Sequence, residues 1–119
     1  MNFLVHVTCG PRDQTKAALA FLVAKTAADE GHTVSLFLAG DSVELLKDEH
    51  LRTVTGLGTG RLEDHFNALT AKGARFYLSG MSSKARDVTE EVIKDKPAEF
   101  AMPVTLVRLA AEADRVFTY

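Results

Sequence analysis

The sequence predicts an α/β domain built on a parallel sheet with helices on both faces. Three observations carry this. Short apolar, β-branched runs alternate with amphipathic helical stretches along the whole chain. The runs are apolar throughout rather than alternating, as strands buried on both faces require. At 119 residues, with 46% hydrophobic and 25% charged residues, the chain has the size and composition of one globular domain, residues 1–119.

The elements follow in order. Phe3 to Thr8 is a β-branched run closed by Cys9-Gly10-Pro11, which reads as a buried strand ending at a turn. A helix is expected from Thr15 to Glu30, capped by Asp13 or Thr15 and stopped at Gly31. Leu19, Leu22, Val23 and Thr26 share one face of it at helical spacing. Thr33 to Ala39 is the second strand. Gly40-Asp41-Ser42 then turns into a short helix through Val43, Leu45 and Leu46.

From Lys47 to Gly60 the pattern is irregular and reads as a long loop with room for a small extra element, with the Gly56-x-Gly58-x-Gly60 run as a flexible turn. Leu62, Phe66 and Leu69 mark a helix that ends at Gly73. Arg75 to Leu78 is the third major strand, closed by Ser79-Gly80. A helix through Val88, Val92 and Ile93 follows, then a short strand at Ala98 to Ala101. Pro103 opens a last helix carrying Leu106, Leu109, Ala110 and Ala113. Val116 to Tyr119 completes a sheet of about five, mostly parallel strands.

Composition excludes several classes of function. A net charge of -2 with both signs scattered lacks the basic stripe of a nucleic-acid binder. No apolar run approaches the ~18 residues of a membrane span. The start at Met1-Asn2 has no charged segment or cleavage site of a signal peptide. Cys9 is the only cysteine, so no internal disulfide can form, and a cytoplasmic, reducing location is expected. His32, His50 and His65 have no metal-ligand spacing with each other or with Cys9. The glycine run lacks the Gly-Lys-Ser/Thr of a phosphate loop, and no Gly-x-Ser-x-Gly elbow is present. Neither a cofactor nor a metal is called for.

Parallel strands aim their carboxyl-end loops at one edge of the sheet, where ligands of such folds bind. Two loops stand out there, Cys9 to Gln14 and Ser79 to Arg86. Each leads into a helix N-terminus, which favours anions. The expected site residues are Cys9, Gly10, Arg12, Ser79, Gly80, Met81, Ser82, Lys84 and Arg86, with Arg12, Lys84 and Arg86 supplying positive charge for a small anionic ligand. Ser79, Ser82 and Ser83 suit turn and capping roles as well as an anion pocket. Cys9 is either a thiolate favoured by Arg12 and the adjacent helix or a small buried hydrophobe. His6 reads as a core or interface histidine.

Several segments together resemble the DsrE/DsrF-like proteins, small α/β domains linked to sulfur relay. They are Gly10-Pro11-Arg12-Asp13-Gln14-Thr15-Lys16-Ala17, Val34 to Asp41, Gly58-Thr59-Gly60, and Gly73 to Ser82. The resemblance covers nearly the whole chain. It implies a flavodoxin-like three-layer α/β/α fold assembled into homotrimers or hexamers, and some members carry a persulfide on a cysteine at the end of the middle strand. Ser79 falls at the matching position, and a hydroxyl cannot hold a sulfane sulfur. The resemblance therefore implies an oligomeric binding or interaction protein holding an anionic or sulfur-containing ligand. The alternative is a sulfur-transfer or thiol-redox protein using Cys9 as its nucleophile. Phe37, Phe66 and Phe76 exceed what a small sheet obviously buries, which also suggests association.

Overall fold

The structure, a computed structural model, describes residues 1–119. Five strands form one parallel sheet: β1 (Asn2–Val7), β2 (Thr33–Leu38), β5 (Arg75–Ser79), β6 (Ala98–Ala101) and β7 (Arg115–Thr118). Their order across the sheet is β6-β5-β2-β1-β7, and every pair is parallel. The helices are α1 (Gln14–Asp29), α2 (Asp48–Thr53), α3 (Leu62–Ala71), α4 (Gly80–Ala85), α5 (Glu90–Ile93) and α6 (Pro103–Glu112), with a 3-10 segment at Gly40–Leu46. No helix is long and apolar enough to cross a membrane.

Chain direction decides which face each helix covers. From β1 to β2 to β5 to β6 the strands step the same way across the sheet. Right-handed crossovers then place all the intervening helices on one face. Val5, Val7, Leu36, Leu38, Phe76 and Leu78 point to that face. They join Phe21, Leu46, Phe66, Leu69, Val88 and Ile93 in one core cluster. From β6 the chain steps back to β7 beside β1, so α6 alone covers the opposite face. Leu4 and Phe37 are buried there at 1% and 2% exposure. No residue of α6 itself is fully buried.

Three local expectations are corrected. The inward face of α1 is Ala17, Ala20, Phe21, Ala24, Ala27 and Ala28; Leu19, Leu22 and Val23 lie half-buried at its flanks and Thr26 is exposed. Alanines on the inner face let the helix sit close to the sheet, so its largest apolar side chains do not mark the core side. The helix expected through Val88, Val92 and Ile93 begins only at Glu90: Asp87, with a left-handed φ of 54°, and then Val88 and Thr89 lie in the connection from α4. The stretch from Lys47 to Gly60 does hold small extra elements, α2 and an antiparallel hairpin, β3 (Thr55–Gly56) and β4 (Gly60–Arg61), and it is the flexible-turn reading of its glycines that is corrected. The Gly56–Gly60 turn is docked rather than loose. The Thr55 and Leu57 amides donate to the Gln14 and Thr15 side chains, and the Thr59 hydroxyl donates to the Thr15 carbonyl. Leu57 stands 90% exposed at the hairpin tip.

Phe37, Phe66 and Phe76 all lie inside the protomer at 6% exposure or less, so they give no argument for association. Exposed apolar side chains lie elsewhere: Leu57, Met81, Met102, Val104, Val107, Val116 and Phe117.

Candidate functional site

The carboxyl ends of the strands carry the turns Thr8–Gln14, Ala39–Ser42, Ser79–Gly80 and Ala101–Met102. β2 lies between β1 and β5, so the Ala39–Ser42 turn separates the two loops that sequence places together. Gly10 packs directly on Asp41; a Cβ there would sit 2.7 Å from the Asp41 Cβ and carbonyl oxygen. Asp41 in turn accepts from Arg86 Nη2 at 3.0 Å and Nε at 3.2 Å, and Arg86 Nη1 donates to the Ser82 carbonyl. Arg86 is thus paired. The small cavity beside Gly10, Pro11 and Arg12 also has Asp41 and Glu44 in its wall, so Arg12 does not face an uncompensated positive niche.

Connections diverge between β5 and β6, since the chain leaves β5 toward one face and β6 toward the other. This is where ligands of open α/β sheets bind. Ser79, 9% exposed at the end of β5, accepts a hydrogen bond from the Ser82 amide and caps α4. The Ser82 hydroxyl accepts from the Gly40 amide at 2.8 Å. Ser79, Ser82 and Arg86 are therefore committed to holding the turn together. The other face of the same segment lines a cavity of about 390 Å³, with Ser83, Lys84, Asp87 and Thr89 as its polar groups and Val88 and Phe100 as its apolar wall. Gly80 also borders it, whereas Met81 is 62% exposed outside it. Asp87, Thr89 and Phe100 carry no motif and were not legible as site residues; the only hint is the helical spacing of positions 80, 83, 84 and 87.

Cys9 is half-buried against the core. Burial pushes its thiol pKa up, Lys16 pulls it down and Asp13 raises it further. Arg12 is not among the groups acting on it.

The model of the DsrE/DsrF-like family matches residues 1–119. The chain belongs to the DsrE/DsrF-like family. Two solved structures share its fold. The ychN protein from E. coli superposes with a TM-score of 0.78 at 17% identity, covering 100% of this chain and 99% of that one. The conserved protein of unknown function BT1422 from Bacteroides thetaiotaomicron gives 0.72 at 11% identity, covering 99% and 94%. No curated protein matches the sequence.

One further group of this DsrE-like chain is electrostatically unusual. His6 projects from β1 to the α6 side of the sheet, edge-on to Phe37, and its Nε2 is buried with no partner. Burial lowers its pKa from the ordinary 6.5. The unfolded chain then binds more protons than the folded one as pH falls past 6.5. Stability is complete above that value and declines through it toward the lower folded pKa. Asp29 and Asp48, held down by hydrogen bonds from Lys25 and Lys96, contribute only near and below 3.8. The urea midpoint should therefore fall between neutral and mildly acidic pH, and His6→Asn should flatten that fall. An unchanged slope in the variant would assign it to other groups.

Proposed function

We propose that this DsrE-like protein is a non-catalytic, oligomeric binding protein related to sulfur relay. Ser79 stands where sulfur-carrying relatives place their cysteine, and the turn after β5 serves as a ligand site. The observation that carries this reading is the state of the two relevant side chains. The Ser79 hydroxyl is an N-cap, and burial pushes up the pKa of the only thiol, Cys9, which disfavours its thiolate. A persulfide forms when a thiolate attacks a sulfane sulfur and displaces the remaining donor as its anion. Neither residue supplies that thiolate readily at neutral pH.

The ligand in this reading is small and carries an anionic group, met by Lys84 at the cavity rim. Residues 1–119 act as one domain in the cytoplasm, as a homotrimer or hexamer with closed symmetry. Association is supported by the apolar side chains left in water on α6 and β7, Val104, Val107, Val116 and Phe117.

Native mass spectrometry tests both parts at once. The natural protein, Cys9→Ser and Ser79→Cys are each treated with a sulfane-sulfur donor. A trimeric or hexameric mass is expected, with added sulfur only on Ser79→Cys. A lone 12.9 kDa species would refute the assembly. Sulfur uptake by the natural protein that disappears in Cys9→Ser would make it a sulfur carrier using Cys9.

A further inference from the structure

The two edges of the five-stranded sheet differ in how they are guarded. β6 carries the features that keep a natural edge from pairing with another chain. Pro97 precedes it, Lys94, Asp95 and Lys96 lead into it, and Glu99 lies within it, 3.5 Å from Arg75. β7 carries only Arg115, at its first position. Its other residues, Val116, Phe117 and Thr118, are strong strand formers, and the whole strand is exposed.

The unguarded edge also aims backbone groups at a missing neighbour. The Tyr119 amide donates to the His6 carbonyl, and the Tyr119 carbonyl accepts from the Thr8 amide. His6 stands opposite Thr118 in the β1–β7 register. Alternate residues of a strand bond the same neighbour, so Phe117 also turns its N–H and C=O toward β1. Val116 and Thr118 turn theirs away, and no strand lies beyond β7. What fits there is an extended strand that is short, largely apolar and free of opposing charge.

β7 meets that description itself. A two-fold axis through Phe117 sets two copies of β7 antiparallel, with Val116 opposite the partner's Thr118 and Phe117 opposite the partner's Phe117. Val116 and Thr118 then exchange both backbone bonds with their opposites, as hydrogen-bonded antiparallel pairs do. Aromatic and β-branched side chains meet across the join, and such pairs stabilise antiparallel ladders. Arg115, the only charged residue of β7, falls opposite the partner's Tyr119 rather than another arginine. One surface serves both copies, as a two-fold contact requires.

We infer that the β7 edge is the docking surface for a second copy of this chain, so that two sheets join into one across a two-fold axis. The inference rests on the assembly part of the reading above and deepens it. A trimer has no two-fold axis, so the pairing selects the hexamer, two trimers joined through β7.

Phe117→Cys in a Cys9→Ser background tests the register. Opposed residues that do not exchange backbone bonds hold their Cα atoms ~4.5 Å apart, within disulfide reach. Mild oxidation should convert most of this variant to a covalent dimer on a non-reducing gel. Leu57→Cys in the same background, at the 90% exposed hairpin tip, should stay uncross-linked. Val116→Pro tests the edge without a cysteine. It removes an amide that points away from β1, so the β1–β7 ladder keeps its bonds. Sedimentation equilibrium should show it at half the mass of the natural protein, with an unchanged circular dichroism spectrum. An unchanged mass for Val116→Pro, or equal cross-linking of the Phe117→Cys and Leu57→Cys variants, would overturn the inference and leave the assembly standing. A natural protein that is only a dimer, and that cross-links through position 117, would uphold the pairing and overturn the trimer or hexamer. A 12.9 kDa species alone would overturn both.

Discussion

Phe76→Ala is expected to remove about 3–5 kcal/mol of stability, the usual cost of truncating a fully buried phenylalanine. Phe76 is 0% exposed on β5, one strand in from the β6 edge of the sheet. Its ring centroid lies 5.0 Å from Phe66 of α3 and 5.9 Å from Phe21 of α1. Alanine at this point opens a cavity where two helices and the sheet meet. Folded domains hold only about 5–15 kcal/mol in total, so the variant should lose a large share of its stability. Urea unfolding followed by circular dichroism reads the change directly. A loss below about 1 kcal/mol would mean that the three rings repack, contrary to the close-packed core described above. The site should weaken with it, because β5 ends in Ser79, which caps α4.

Gly10→Ala should be strongly destabilising, because its clash is with backbone. The new Cβ would lie 2.7 Å from the Asp41 Cβ and carbonyl oxygen and 2.9 Å from its carbonyl carbon. Two of those atoms are backbone, so no side-chain rotation relieves the clash. Overpacking of this kind costs typically ~1–3 kcal/mol. The β1–α1 loop must also move away from the β2 turn, which disturbs the Asp41–Arg86 pair. Gly80→Ala is the matched control. Its Cβ would meet only the Ala101 carbonyl at 3.7 Å and Met102 Sδ at 3.8 Å, both ordinary contacts, and alanine favours a helix. Thermal unfolding should separate the two variants by several degrees. Equal midpoints would show that the loop at Gly10 yields freely and that Asp41 does not constrain it.

Much of the fold was legible in sequence because it depends on local chemistry. Strands and helices alternate visibly, since buried parallel strands need continuous apolar runs and the helices need capping and stopping residues. Asp13, offered with Thr15 as the cap, does cap α1 through the Lys16 amide. Gly31 and Gly73 follow the helices they were read to stop, with φ of 91° and 81°. Pro103 opens α6. The five main strands fall within a residue or so of their expected bounds, and the family resemblance drawn from Gly10–Ala17, Val34–Asp41 and Gly73–Ser82 holds over residues 1–119.

Tertiary structure alone decided the rest. The order β6-β5-β2-β1-β7 has no local signature, because parallel neighbours are set by the direction of each crossover. That order inserts the β2 turn between the loops at Cys9 and Ser79, pairs Arg86 with Asp41, and puts the divergence of connections between β5 and β6. Side-chain size pointed to the wrong face of α1, since a helix close to a sheet turns its alanines inward. The burial that raises the Cys9 pKa comes from its packing against the core, and burial is a property of the assembled fold. The cavity beside α4 depends on the turn at Asp87, whose left-handed backbone follows α4 and brings residues 83, 84, 87 and 89 around one space. A sequence can specify each of those side chains, but only the packed chain shows which of them are left without partners.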